Sequence, residues 1–259
     1  MTVTRPRLIA FDLDDTLAPS KSPLPPRMGE LLGELLRAVP VCVISGGQFG
    51  QFETQLVAGL PEDPAALERL HLMPTCGTQY FLRREGAWRR QYAEELTAEE
   101  KSAALAAVEA EARRLGYWEP ANGVETWGPV LEDRGSQITF SALGQAAPVE
   151  AKREWDPTGE KKNALRAAVA ALLPELEVRS GGSTSVDITR RGIDKAYGMR
   201  RLAELTGIPL TDMLFVGDRL DPDGNDYPVK ALGVPTRAVE GWEDTAAFVA
   251  EFLASVARP

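Results

Sequence analysis

The sequence predicts a doubly wound α/β protein built on a parallel sheet, with an α+β segment inserted into it. Three observations carry that prediction. Short apolar runs alternate with amphipathic helical runs at both ends of the 259-residue chain, the middle groups strand-like runs together, and the runs near each end break off into acidic loops. Sheets of this kind bind ligands at the carboxyl ends of their strands, so those loops are where function is sought.

Residues 8–13 open the chain as an apolar run suited to a buried strand, and residues 39–45 form a second, β-branched one. Between them, after the Pro-rich loop 22–26, residues 27–38 repeat apolar side chains at helical spacing, which completes a βαβ unit. Residues 78–82 and 87–92 flank Arg83-Arg84-Glu85-Gly86 and read as an antiparallel hairpin. A long Ala-rich helix over 97–115 starts with Thr97-x-x-Glu100, a pattern in which each side chain takes up the other's free backbone N–H. Strands at 124–131 and 136–143, a helix at 161–173 and strands at 176–179 and 184–188 follow. Gly123, Gly128 and Pro129 mark turns, and 150–162 reads as a charged surface stretch. The alternation then returns with a helix at 195–206, strands at 213–216 and 234–239, and a last helix at 243–256. The expected division is a discontinuous core of residues 1–82 and 187–259 around an inserted domain of residues 83–186.

Composition narrows the function. A net charge of −9 disfavours generic nucleic-acid binding but leaves room for a local pocket that takes small anions. No run approaches the length of a membrane helix, and the N-terminus lacks a charged-then-apolar signal segment, so a cytoplasmic protein is expected. Cys42 and Cys76 both lie in apolar segments and read as buried thiols. With His71 the single histidine, a metal here is expected to be a hard cation held by oxygen.

Four segments sit where ligands bind. In Asp12-x-Asp14-x-Thr16, the alternation of a strand puts Asp12 and Asp14 on one side, and two anions so close need a cation or a shared proton; an Asp-rich turn fits the same residues. In Ile44-Ser45-Gly46-Gly47, backbone N–H groups and the Ser45 hydroxyl suit a phosphoryl oxygen, and equally a small-residue turn with Ser45 as helix cap. Lys195, after Asp194, opens a helix where the dipole disfavours a cation, so it is either paired with an anion or solvated. Asp218 follows the apolar Phe215-Val216-Gly217 and leads into Leu220-Asp221-Pro222-Asp223-Gly224-Asn225-Asp226. A calcium loop of the EF-hand kind lacks its paired helices and its twelfth-position Glu here.

In this order the four segments resemble the haloacid dehalogenase superfamily of Mg²⁺-dependent phosphotransferases, whose fold is a Rossmann-like core with a cap. The insertion after Thr75-Cys76-Gly77 is similar to the type II cap of the sugar-phosphatase and phosphomannomutase branch. Asp133-Arg134-Gly135-Ser136, Gly181-Gly182-Ser183-Thr184-Ser185-Val186-Asp187 and Gly224-Asn225-Asp226 resemble eukaryotic-type phosphomannomutases and their bacterial relatives. The resemblance implies an enzyme in which Asp12 becomes transiently phosphorylated and Asp14 acts as acid and base. It implies Mg²⁺ held by Asp12, Asp218 and the Asp14 backbone carbonyl, with Asp226 supporting from behind. Lys195 would balance charge, while Ser45, Gly46 and Asn225 bind the phosphoryl group. Asp15 stands where the branch more usually has glycine. Asp221 and Asp223 either bind a second cation or face water.

The cap of such enzymes closes over the core and sets the substrate. In the phosphomannomutases three arginines hold a distal phosphate; Arg134 matches the first, and an ungapped reading from Gly144 puts Gln145 and Lys152 at the others. Ser185 and Asp187 suit sugar hydroxyls or a phosphate, or are surface residues. The expected function is a phosphatase acting on a small phosphorylated sugar, with a hexose-phosphate mutase as the alternative and a non-catalytic binding module as the third reading. Monomer and dimer both remain open.

Overall fold

The structure is a computed structural model describing residues 5–123, 125–181 and 184–256. Val124, at the start of an expected strand, and Gly182 and Ser183, from the loop before Thr184, lie outside the described residues. In chain order the first elements are β1 (Leu8–Phe11), α1 (Pro26–Ala38), β2 (Val41–Ile44), α2 (Phe49–Gln55), α3 (Pro64–Leu67), β3 (Leu70–Met73), β4 (Gln79–Arg84) and β5 (Ala87–Ala93). Next come α4 (Ala98–Arg114), β6 (Leu131–Asp133), β7 (Gln137–Ser141), α5 (Val149–Trp155), α6 (Glu160–Leu172), β8 (Leu176–Ser180) and β9 (Ser185–Arg190). The chain ends with α7 (Lys195–Thr206), β10 (Met213–Gly217), α8 (Tyr227–Ala231), β11 (Thr236–Ala238) and α9 (Trp242–Val256).

Two compact units divide at Ala93/Glu94 and Gly192/Ile193. The first holds a seven-stranded sheet in the order β11-β10-β1-β2-β3-β4-β5, parallel from β11 to β3 and closed by the antiparallel β4–β5 hairpin. Side chains of β1 alternate between faces, as period two requires. Ile9 and Phe11 pack with Met28, Leu32 and Leu35 of α1 and Val249 of α9, while Leu8 and Ala10 pack with Met199 and Leu202 of α7. Helices therefore cover both faces, the condition for a parallel sheet. The second unit is an antiparallel sheet in the order β6-β7-β9-β8. Its Ile138, Phe140, Val186 and Ile188 pack on Ala104 and Val108 of α4 and Leu165 and Val169 of α6. Thr97 and Glu100 form the expected capping box at the start of α4.

The expected boundaries shift. The loop at 83–86 is not an exit from the core: Arg84 pairs with Ala87, and Glu85 and Gly86 both take positive φ, so a two-residue turn keeps the hairpin in the first sheet. At the other end β9 pairs with β7 and β8 along its whole length, which assigns residues 187–192 to the second unit. The strand expected over 124–131 is reduced to β6, because Gly128 turns at φ +81° and Pro129 cannot donate to a ladder. The charged stretch at 150–162 contains α5, and β3, a four-residue strand, has no counterpart among the expected elements. Cys42 is buried as expected, but Cys76 is only partly buried, in a turn at φ +56°.

His71 in β3 meets the Tyr80 hydroxyl at 2.7 Å. Burial, then the Arg84 charge, holds its imidazole down to about 4. The neutral ring is thus the folded form, and its contribution is present above about pH 6.5 and lost as pH falls towards 4, up to about 3 kcal/mol. The expected result is that His71→Gln lowers the melting temperature at pH 7, and that the gap to the unaltered protein narrows by pH 4.5. A gap that is constant with pH would assign the acid loss to carboxylates alone.

Candidate active site

Asp12 and Asp218 each follow the last residues of neighbouring parallel strands, β1 and β10, whose register sets Phe11 opposite Val216. The Asp12 N–H still donates to the Val216 carbonyl at 3.0 Å, so the ladder itself carries this residue into position. Ser45 leaves β2 on the other side of β1. The sheet order reverses at β1, the point where such folds place ligands.

Asp226 joins them from the loop after β10. Carboxylate oxygens of Asp12, Asp218 and Asp226 lie within 4.8 Å of one another, the one such acidic group among the described residues. Lys195 Nζ lies 2.6 Å from both Asp12 Oδ1 and Asp226 Oδ1, with only 1 % of the lysine exposed. Two glycines permit this arrangement. A Cβ on Gly198 would come within 2.2 Å of Ile44 Cδ1 and 2.8 Å of the Cys76 carbonyl oxygen, so only glycine lets α7 press its first turn against the turn at Thr75–Gly77. A Cβ on Gly217 would meet Asp226 Oδ2 at 2.3 Å. Asp226 Oδ2 instead accepts the Arg219 N–H at 3.1 Å. Asp226 therefore pairs with Lys195 directly, beside Asp12.

Electrostatics follow from the packing. Burial lifts the Asp12 carboxyl well above its usual range; Lys195 opposes this, and Asp226 and Asp218 add to it. Burial works against the Lys195 ammonium, but Asp12 and Asp226 outweigh it and raise its pKa. Asp218 is raised by burial and then by Asp226. Three carboxylates face the Lys195 ammonium, an excess of negative charge in an all-oxygen donor set, and such a set fits a hard divalent ion such as Mg²⁺.

Asp14 has donors of its own. Its carboxylate accepts the Lys21 N–H at 2.6 Å, Gln55 Nε2 at 3.0 Å and Gln51 Nε2 at 3.0 Å. Neighbouring Asp15 adopts φ +60°, the left-handed region that favours glycine and that Asp tolerates, and its Oδ1 takes the Ser20 N–H at 3.0 Å. Asp15, where the resemblance puts glycine, thus adopts a backbone conformation that glycine favours. Thr16 donates to Asp218 Oδ1 at 3.2 Å. Ser45 is not a helix cap: α2 is capped at Gln48, and Ser45 Oγ accepts the Gly47 N–H at 3.2 Å. Gly46 lies beside it in the same turn, and Asn225 is exposed in the loop before Asp226. Gln51, Gln55 and Thr16 were missed as site residues by the sequence reading. Glutamines four apart, just after a Ser-Gly-Gly turn, were the available signal.

The second unit carries the other expected residues, Ser185 and Asp187 on its sheet, Arg134 just after β6 and Lys152 on α5. Ser185 and Asp187 alternate on one face of β9, where Ser185 meets Ser141 Oγ at 2.7 Å and Asp187 Oδ1 accepts from Thr139 at 2.8 Å. The Arg134 side chain, 10 % exposed, donates to Glu132 Oε2 through Nε at 3.0 Å and Nη2 at 2.7 Å, and to Gln145 Oε1 at 3.3 Å. Lys152 Nζ donates to the Gln145 carbonyl at 3.3 Å. Glu132, two residues from Arg134 and so on the same side of an extended chain, is a partner that the sequence reading missed.

The chain is similar to known proteins in sequence and in fold. The profile of haloacid dehalogenase-like hydrolases matches residues 152–228. The probable phosphomannomutase of Caenorhabditis elegans is 25 % identical over 260 residues, 95 % of each chain, and the phosphomannomutase of Spinacia oleracea is 26 % identical over 235 residues, 88 % of each. In fold, the chain is similar to the IMP-nucleotidase of Plasmodium falciparum (TM-score 0.67, 13 % identity, 96 % of this chain and 68 % of that one). It is also similar to a haloacid dehalogenase-like hydrolase from Bacteroides thetaiotaomicron (TM-score 0.64, 15 % identity, 95 % and 99 %). Matches that cover nearly all of the chain in sequence and in fold support an enzyme of the haloacid dehalogenase-like hydrolases, on the phosphomannomutase-like side.

Proposed function

We propose that the chain is a Mg²⁺-dependent phosphatase that removes the phosphoryl group from a phosphorylated sugar or similar small polar metabolite through an aspartyl-phosphate on Asp12. The observation that carries this reading is the buried Asp12 carboxylate at a strand end, 2.6 Å from Lys195 Nζ and grouped with Asp218 and Asp226. Mg²⁺, with Asp12, Asp218 and the Asp14 backbone carbonyl as its protein ligands, supplies when bound the positive charge that lets an anionic nucleophile approach a phosphate dianion. Asp12 forms the new O–P bond as the ester O–P bond breaks. Asp14 gives a proton to the departing oxygen and later takes one from the attacking water. Lys195 balances the charge on Asp12, and Ser45, Gly46 and Asn225 hold the phosphoryl oxygens. Arg134, Lys152, Ser185 and Asp187 are assigned to the sugar end of the substrate.

The relatives named phosphomannomutase favour a second reading, a hexose-phosphate mutase with the same phosphorylated aspartate. Two observations favour hydrolysis. Gln145 and Lys152 occupy two positions where the resemblance puts arginine, and Arg134 already spends donors on Glu132. The experiment is a panel of sugar phosphates with Mg²⁺ or with a chelator, including mannose 1-phosphate with a trace of hexose bisphosphate. Metal-dependent free phosphate is the expected result. Mannose 6-phosphate as product would establish the mutase instead, and no turnover of any ester would end both readings.

A further inference from the structure

The Asp14 carboxylate is surrounded by donors from two places. Lys21 contributes its backbone N–H from the loop after β1, and Gln55 and Gln51 contribute side-chain amides from α2. The glutamines stand four residues apart, the spacing that puts two side chains on one helix face. They are also joined to each other: Gln51 Nε2 donates to Gln55 Oε1 at 2.8 Å, so one amide nitrogen serves both Asp14 and its neighbour. Gln55 is 3 % exposed, with both ends of its amide engaged. Gln51 has room because residue 47 is glycine; a Cβ there would lie 2.3 Å from Gln51 Oε1. A mutually bonded pair of this kind, with Gln55 buried and Gln51 partly so, has few alternative rotamers, and it leaves the carboxylate few as well.

We infer that Gln51 and Gln55 are positioning residues that set the orientation of Asp14 for proton transfer to the leaving group. This inference rests on the proposed function, because it assigns the pair an effect on one step of that chemistry. The pair touches neither Asp12 nor Lys195 in the contacts described above, so its influence falls on the proton delivered to the departing oxygen and not on the nucleophile. That step matters in proportion to how poor the leaving group is. An ester of p-nitrophenol departs as a stabilised anion and needs little help, whereas an ester of phenol needs the proton more.

The test compares kcat/KM for p-nitrophenyl phosphate and phenyl phosphate in the full chain and in Gln51→Met and Gln55→Met, since kcat/KM reports the steps up to formation of the phosphorylated enzyme. Methionine keeps most of the volume and removes the amide. The expected result is that phenyl phosphate loses about tenfold more than p-nitrophenyl phosphate in each variant. Equal losses with both esters, or no loss with either, would leave the ratio unmoved and overturn the inference. Asp12→Asn is the control. If it retains turnover, the proposed function has failed and the inference with it. If Asp12→Asn is inactive while the ratio does not move, only the inference has failed.

Discussion

Asp12→Asn is expected to abolish phosphate release, by a factor on the order of 10³ or more, while making the metal-free protein more stable. The two effects have one origin. Asp12 is held at the end of β1 by its backbone bond to Val216, so asparagine enters the same position without moving the ladder. What changes is charge: a carboxylate that burial and the neighbouring Asp226 and Asp218 work against becomes neutral. Because Lys195 then faces fewer carboxylates, the gain in stability is about 1 kcal/mol, read as a higher melting temperature in the presence of a chelator. Added Mg²⁺ should raise the melting temperature of the unaltered chain and raise that of the variant less, since one oxygen ligand has lost its charge. Undiminished phosphate release from the purified variant would remove the covalent step from consideration.

Lys195→Met works in the opposite direction on stability. The lysine lies at the first turn of α7, where the helix dipole disfavours it, and it is almost wholly buried, so nothing local to its helix keeps it charged there. Asp12 and Asp226 do, each at 2.6 Å. Methionine would leave two buried carboxylates without their partner, a loss of about 3–5 kcal/mol in metal-free protein at neutral pH. A divalent ion replaces part of the missing charge, so Mg²⁺ should recover more stability in this variant than it adds to the unaltered chain, while turnover stays low. Lys195→Arg should not restore activity, because a longer, planar, forked cation does not fit a site filled by one ammonium. A variant as stable as the unaltered chain under a chelator would mean that the cluster is not the charged unit described here.

Much of the core was legible because its signals are local. The apolar run of β1 followed by Asp12, and that of β10 followed by Asp218, each marked a strand end with a carboxylate, and adjacency of such strands is what a parallel sheet supplies. Lys195 was legible only as a question. Its helix start argued for an anionic partner, but solvent would have answered equally well, and burial against Asp12 and Asp226 decided it. Asp15 was visible as a departure from glycine, yet only its φ of +60° shows that it sits in the left-handed region glycine favours. The hairpin turn at Glu85-Gly86 misled the domain boundary because a turn inside a sheet and a turn leaving it use the same residues.

By itself the sequence determined the α/β class and the strand ends that bear carboxylates, since periodicity and strand-end chemistry are properties of short segments. Tertiary structure alone decided that Asp226 shares Lys195 with Asp12, that Arg134 is paired with Glu132, and that Asp14 is held by Gln51 and Gln55. Those pairings depend on where loops travel and on which rotamers the packing permits. Three carboxylates distant in sequence acquire a common charge balance only when the folded chain brings them within 4.8 Å.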